Sequence, residues 1–131
     1  MLTFKQFAII GAELDHLSPE ENSKRTSRLL IALSEAGYSP MRFEEHSDGK
    51  VKTKFHVGTP KEADIMHMEM LAFDLFRQNN ISVQYSDGHS RLHFRNHVEY
   101  EGKVRSVEKC VAVKKDRYFF YPELGNYYAV A

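Results

Sequence analysis

Ser18-Pro19-Glu20-Glu21 and Thr59-Pro60-Lys61-Glu62 are the two stretches on which the reading of this chain turns. Each has the punctuation of a helix start. A hydroxyl residue can accept from the N3 amide, proline stands at the first helical position where no amide is needed, and a carboxylate follows three residues after the cap. Behind Ser18, Leu29, Leu30, Leu33 and Ala36 recur at helical spacing up to Gly37, a natural C-terminal stop. Behind Thr59, Ile65, Met68, Ala72, Leu75 and Phe76 make a second stripe, and Asn79-Asn80 breaks it. Met66, Met70 and Phe73 widen that helix's apolar surface. The widening reads as deep burial in preference to an oligomer contact built from adaptable methionines.

Outward from the helices lie strands. Phe7 to Ala12 is a continuous apolar run that suits a strand buried on both faces. Tyr38 to Glu45 and Val51 to Val57 form a hairpin around Asp48-Gly49, a pair that tolerates positive φ. In the second of these strands Val51, Thr53, Phe55 and Val57 face one way, and Lys52, Lys54 and His56 the other. Ile81, Val83 and Tyr85 alternate as a fourth strand, and Leu92 and Phe94 mark a fifth. The order predicts an α+β fold: a ferredoxin-like split βαβ (β-α-β-β-α-β) sheet with two helices on one face. Residues 1–97 make that core, and residues 98–131 extend the same sheet with further β-strands. The 131 residues are thus read as a single domain.

Composition excludes more than it selects. Eighteen Lys+Arg balance eighteen Asp+Glu, so no global basic field argues for nucleic acid. A single cysteine, Cys110, rules out an internal disulfide and points to a reducing, cytoplasmic setting. In the alternating stretch Val104 to Val113 it reads as a small buried thiol. No signal-peptide pattern and no apolar run of membrane-spanning length is visible, so no membrane partner is expected.

Chemistry-bearing patterns are few. His89, Arg91, His93, Arg95 and His97 occupy alternate positions, so a strand would project them from one face as a cationic ladder for phosphate or carboxylate, or leave them on a solvated face. Three imidazoles so spread do not suit zinc. His67 and Glu69 lack the spacing of a metalloprotease helix. Glu44 and Glu45 are adjacent on a strand and point to opposite faces, so at most one serves a given pocket. No phosphate-binding glycine loop and no serine-hydrolase elbow is present.

Several of these features share an order and spacing: Phe7-Ala8-Ile9-Ile10-Gly11-Ala12, Glu21-Asn22 with Arg25, Leu29-Leu30 and Leu33, Gly37-Tyr38, Phe55-His56-Val57, and Phe76-Arg77-Gln78 before a strand. Over residues 5 to 95 the chain resembles the phage-encoded S-adenosylmethionine lyases and their bacterial relatives. The resemblance implies a ferredoxin-like fold, a trimer with ligand sites between subunits, no metal and no cofactor. It implies a lyase step in which the substrate's own carboxylate displaces methylthioadenosine and leaves homoserine lactone, the protein supplying orientation and electrostatics.

Carried across by position, the resemblance implies a ligand site formed by Gly11, Ala12, Lys52, Gln78 and Asn79. Lys52 stands where the family carries its key Glu, and Asn79 where a Glu usually follows the Gln. A Lys there would repel a sulfonium. Either Glu45 or Glu44 supplies the catalytic carboxylate instead, or the scaffold has changed its ligand. The expected function is a phage-type counter-defence protein on the lyase scaffold, with altered or lost catalysis. The alternative is a non-enzymatic inhibitor that binds a host defence complex through its aromatic C-terminal region or the His/Arg ladder.

Overall fold

The apolar run near the start becomes strand β1 (Phe7–Gly11), buried along its whole length. Covered faces alone do not explain this; β1 also has a strand on each side. The computed structural model describes residues 5–130, and in it the strands run β1, β2 (Met41–Ser47), β3 (Lys50–Gly58), β4 (Asn80–Gln84), β5 (His89–Phe94), β6 (Val98–Val107), β7 (Arg117–Tyr121) and β8 (Asn126–Val130). Every pairing is antiparallel, and the order around the sheet is β1-β3-β2-β7-β8-β6-β5-β4, with β4 returning to β1. The sheet is a closed barrel.

That closure corrects the expected fold. The chain is not an open ferredoxin-like α+β sheet with optional strands added at one edge. β7 pairs with β2, β5 with β4, and β6 and β8 bridge them, so residues 98–130 supply the wall that joins the two edges. An open edge strand leaves a row of unpaired amides and carbonyls, and closure removes both edges. Periodicity reports which residues alternate, but not which strand each edge meets.

Helix α1 (Pro19–Glu35) begins as its sequence indicates: the Ser18 hydroxyl accepts from the Glu21 amide at 3.1 Å, and Pro19 opens the first turn. Helix α2 (Glu62–Met70) begins later than its sequence suggests. Thr59 is committed to the sheet instead, its N–H donating to the Gln6 carbonyl and its own carbonyl accepting from Gln6 Nε2. The cap of α2 is Lys61, whose N–H donates to Asp64 Oδ2 at 3.0 Å.

A π-helical turn, Leu71–Leu75, continues α2. Its wider turn changes the phase of the apolar stripe. Phe73 turns inward and Leu75, expected in the core, is 60% exposed. Met66 and Met70 are exposed as well, so the helix is buried on one face only.

Two cores result, one on each side of the sheet. Outside, α1 and α2 cover Ala8 and Ile10 of β1, Phe55 and Val57 of β3, and Ile81 and Val83 of β4 with Leu29, Leu33, Ile65 and Met68. Inside, Phe7, Ile9, Phe43, Val104, Phe119, Tyr121 and Tyr128 fill one half of the barrel. Eight strands enclose a bore that side chains just fill. Phe43 stacks on Tyr121 and meets Phe119 edge-on, geometries that aromatic quadrupoles favour.

His56 sits in this apolar half, stacked on Phe7 with ring centroids 3.8 Å apart, its Nδ1 3.1 Å from the Tyr121 hydroxyl. Burial pushes its pKa down to about 4 and raises that of Tyr121 above the usual tyrosine range. The unfolded chain takes up a proton near pH 6.5, whereas the folded chain resists it until about 4. Stability is therefore complete above pH 6.5 and falls by up to ~3 kcal/mol as pH approaches 4. In urea melts across that window, wild type should lose stability relative to His56→Phe as pH falls if His56 is the cause. A parallel dependence in both proteins would assign it elsewhere.

A short helix α3 (Lys109–Ala112) interrupts the C-terminal strands. Cys110 lies on it and is exposed, not a buried strand residue. Among the described residues no helix is long and apolar enough to cross a membrane.

Candidate functional site

The other half of the barrel interior is polar. Antiparallel pairing puts directly opposed residues on the same face, so the register Glu45↔Lys52, Phe43↔Lys54 and Glu45↔Phe119 sends Glu45, Lys52 and Lys54 inward with the apolar core residues. Arg117 enters from the start of β7. Between Ser90 and Arg91 the β5–β6 register shifts, Ser90 facing Gly102 and Arg91 facing Tyr100. Glu101 is the extra residue of that bulge and is turned into the bore, where it accepts from Ser82, Ser90 and Arg117.

A continuous charge network follows. Lys54 Nζ lies 2.8 Å from Glu45 Oε1, and Arg117 Nη2 2.8 Å from Glu45 Oε2, while Nη1 of the same guanidinium meets Glu101. Burial by itself would raise the Glu45 carboxyl, but Lys54 and Arg117 outweigh it and hold it below the usual range. Burial also opposes the charge on Arg117, and Glu45 and Glu101 more than restore it. Two cations and two carboxylates thus close the bore and fix each other's geometry.

Above this network lies the mouth. The loop after β1, the inward lysines of β3 and the segment between the π-helical turn and β4 enclose a cavity of about 310 Å³, lined by residues 13–16, Lys52, Lys54 and residues 77–80. A smaller one of about 150 Å³ adjoins it, lined by Glu45, Ser47, Asp48 and Lys50 and sharing Asp15 and Lys52 with the first. The Asp15–Lys52 pair, at 2.9 Å, is common to both. The hydrogen bond and charge of Lys52 hold the exposed Asp15 carboxyl below its ordinary value.

Side-chain bonds to the backbone hold the mouth in shape. Arg25 Nε donates to the Ala12 carbonyl at 2.7 Å, and its Nη2 to the Phe76 carbonyl. Gln78 Nε2 donates to the carbonyls of Glu13 and Phe76, both at 3.1 Å. Asn22 spans Leu14 with both amide atoms, and Glu13 Oε2 accepts from the Thr53 amide at 2.6 Å. α1 therefore anchors the β1 exit and the turn after α2 at once.

The residues selected from sequence divide accordingly. Lys52, Gln78 and Asn79 line the larger cavity. Gly11 borders it through Lys54, whose Cγ would stand 3.1 Å from an added Cβ. Ala12 is buried and contributes its carbonyl to Arg25. Glu45 lines the smaller cavity with both oxygens committed, and Glu44 faces away, paired with His46 at 3.1 Å. Sequence reasoning did not select Glu13, Asp15 or Arg77. The pair of carboxylates just past a buried strand was a visible signal, and Arg77 stood within the Phe76-Arg77-Gln78 motif without a role of its own.

The His/Arg ladder does not form a common face for a ligand. His89 meets the Tyr100 hydroxyl, Arg91 lies over the Tyr85 ring, and buried His93 sits between Tyr85 and Glu69. Arg95 pairs with Asp74 and His97 with Glu99. Among the described residues, no group of three His, Cys, Asp or Glu side chains is placed to hold a metal ion. No known protein family model matches the sequence, and no curated protein is similar to it.

Proposed function

We propose that this chain is a phage-type counter-defence protein that takes S-adenosylmethionine, or a related nucleoside, at the mouth of its barrel in the host cytoplasm, with the lyase reaction altered or lost. One observation carries the reading. Lys52 and Gln78-Asn79, which the resemblance to the lyases singles out from separate parts of the chain, line one cavity, and Gly11 borders it through Lys54.

Loss of turnover is favoured by the carboxylates. Glu45 is clamped by Lys54 and Arg117, and Glu44 lies outside the mouth, so neither is free to stabilise a sulfonium. Lys52 does not present a bare charge either, because Asp15 neutralises it. Binding without cleavage sequesters the methyl donor and needs no general acid or base.

Thermal unfolding with and without S-adenosylmethionine, together with chromatography for methylthioadenosine, tests this. A ligand concentration of about 100 Kd should add about 2.7 kcal/mol of apparent stability, with no methylthioadenosine formed. In Lys52→Glu, product should appear if that position alone removed the chemistry. Absence of any thermal shift in the wild type would sink the nucleoside reading. A non-enzymatic inhibitor of a host complex then becomes the better account, and Met66, Met70 and Leu75, exposed along α2 and the following turn, are the side chains that favour it.

A further inference from the structure

We infer that the mouth of the barrel recognises a zwitterionic α-amino-acid group, with Arg77 receiving the carboxylate and Glu13 the ammonium. The inference rests on the mouth being the ligand site proposed above, and it specifies what that site reads.

Charge pairing around the cavity leaves one cation and one anion over. Lys52 is matched by Asp15, and Lys54 by Glu45. Among the described residues, the Arg77 guanidinium has no ion-pair or hydrogen-bond partner, and the Glu13 carboxylate is met only by the Thr53 amide, at Oε2. A planar guanidinium offers a fork that matches a carboxylate, and the second oxygen of Glu13 suits an ammonium. A phosphate would find Arg77 as the one unpaired Lys or Arg lining the larger cavity, with His16 beside it and Lys50 in the adjoining one, and would be repelled by Glu13. A polyamine would face Arg77.

Backbone geometry fixes the position of Arg77. Arg77 has φ 55°, in the left-handed region that a non-glycine residue adopts at a cost. The conformation is enforced from both sides: Arg25 and Gln78 hold the Phe76 carbonyl, and the Gln78 N–H donates to the Ala72 carbonyl at 2.8 Å. Gln78 also grips the carbonyl of Glu13 itself, so one side chain ties together the two backbone segments that carry the unpaired charges. The left-handed residue and the Gln78-to-Ala72 bond are the C-terminal stop of the π-helical turn, and they fix where the unpartnered Arg77 leaves the backbone at the rim of the cavity.

Calorimetric titration of wild type, Arg77→Gln and Glu13→Gln tests the assignment with five probes: S-adenosylmethionine, its decarboxylated form, methylthioadenosine, L-methionine and inorganic phosphate. Removing the ligand carboxylate should cost about tenfold in affinity in the wild type and little in Arg77→Gln, because the partner is already gone. Glu13→Gln should weaken S-adenosylmethionine and its decarboxylated form alike. Arg77→Gly relieves the backbone and should melt no lower than wild type while binding as weakly as Arg77→Gln, which separates lost recognition from lost folding.

Binding of S-adenosylmethionine that ignores Arg77 and Glu13 overturns the inference and leaves the proposed function standing. Binding of L-methionine without S-adenosylmethionine keeps the inference and removes the nucleoside. Phosphate binding more tightly than L-methionine, or no probe binding at all, overturns it.

Discussion

Arg117→Ala is expected to cost about 3 kcal/mol or more of stability, read as a lowered urea midpoint at unchanged slope. The guanidinium lies between Glu45 and Glu101, whose side chains are 8% and 6% exposed. Removing it leaves Glu101 with only the Ser82 and Ser90 hydroxyls, and Glu45 with only Lys54. A carboxylate in such surroundings loses its solvation and gains too little in return. The double change Arg117→Met and Glu101→Gln should recover much of the loss, because it removes the more stranded carboxylate along with its partner and leaves Glu45 paired with Lys54. If Arg117→Ala melts like the wild type, water reaches this end of the bore and the network holds nothing together.

Ending the chain after residue 97 should have a larger effect still. Were the last strands an appendix to a self-sufficient sheet, residues 1–97 would melt cooperatively at a modest loss. In the barrel, this cut removes Val104, Phe119, Tyr121 and Tyr128 from the inner core and exposes Phe7, Ile9 and Phe43 to water. At about 1.5–3 kcal/mol for each large apolar side chain buried, the loss matches or exceeds the whole stability of an ordinary domain. The fragment should therefore show no cooperative thermal transition and no fixed near-ultraviolet aromatic signal. A folded, cooperative fragment would mean that the inner core is dispensable.

The two experiments probe different halves of one bore, and their joint outcome bears on the mouth. Lys54 is at once a wall of the larger cavity and a partner of Glu45. A Cβ at Gly11 would stand 3.1 Å from the lysine Cγ, so the stem would have to give way for it to fit. The site is thus built on the barrel's charged plug, and loosening the plug should loosen the mouth.

Much was legible before any coordinate. The Ser18 cap, the buried first strand, the Asp48-Gly49 turn and the opposite directions of Glu44 and Glu45 are local facts, set by hydrogen bonds and sterics within a few residues, and local sequence determines them. The resemblance named Lys52, Gln78 and Asn79 together, and all three line the larger cavity. Thr59 was misleading because its cap pattern was outcompeted by a strand-end bond to Gln6, a partner 53 positions away. Cys110 was misleading because a short helix interrupts an alternating run.

By itself, then, the sequence determined the start of α1, the buried first strand and the alternating faces of the β2–β3 hairpin. Tertiary structure alone decided that the sheet closes and that Glu45 is spent on Lys54 and Arg117. It also left Arg77 and Glu13 as the unpaired charges. The physical reason is one of range. Propensity, capping and alternation act between neighbours along the chain, whereas edge pairing and charge compensation join residues such as Glu45 and Arg117, 72 positions apart, through a register that no local pattern encodes.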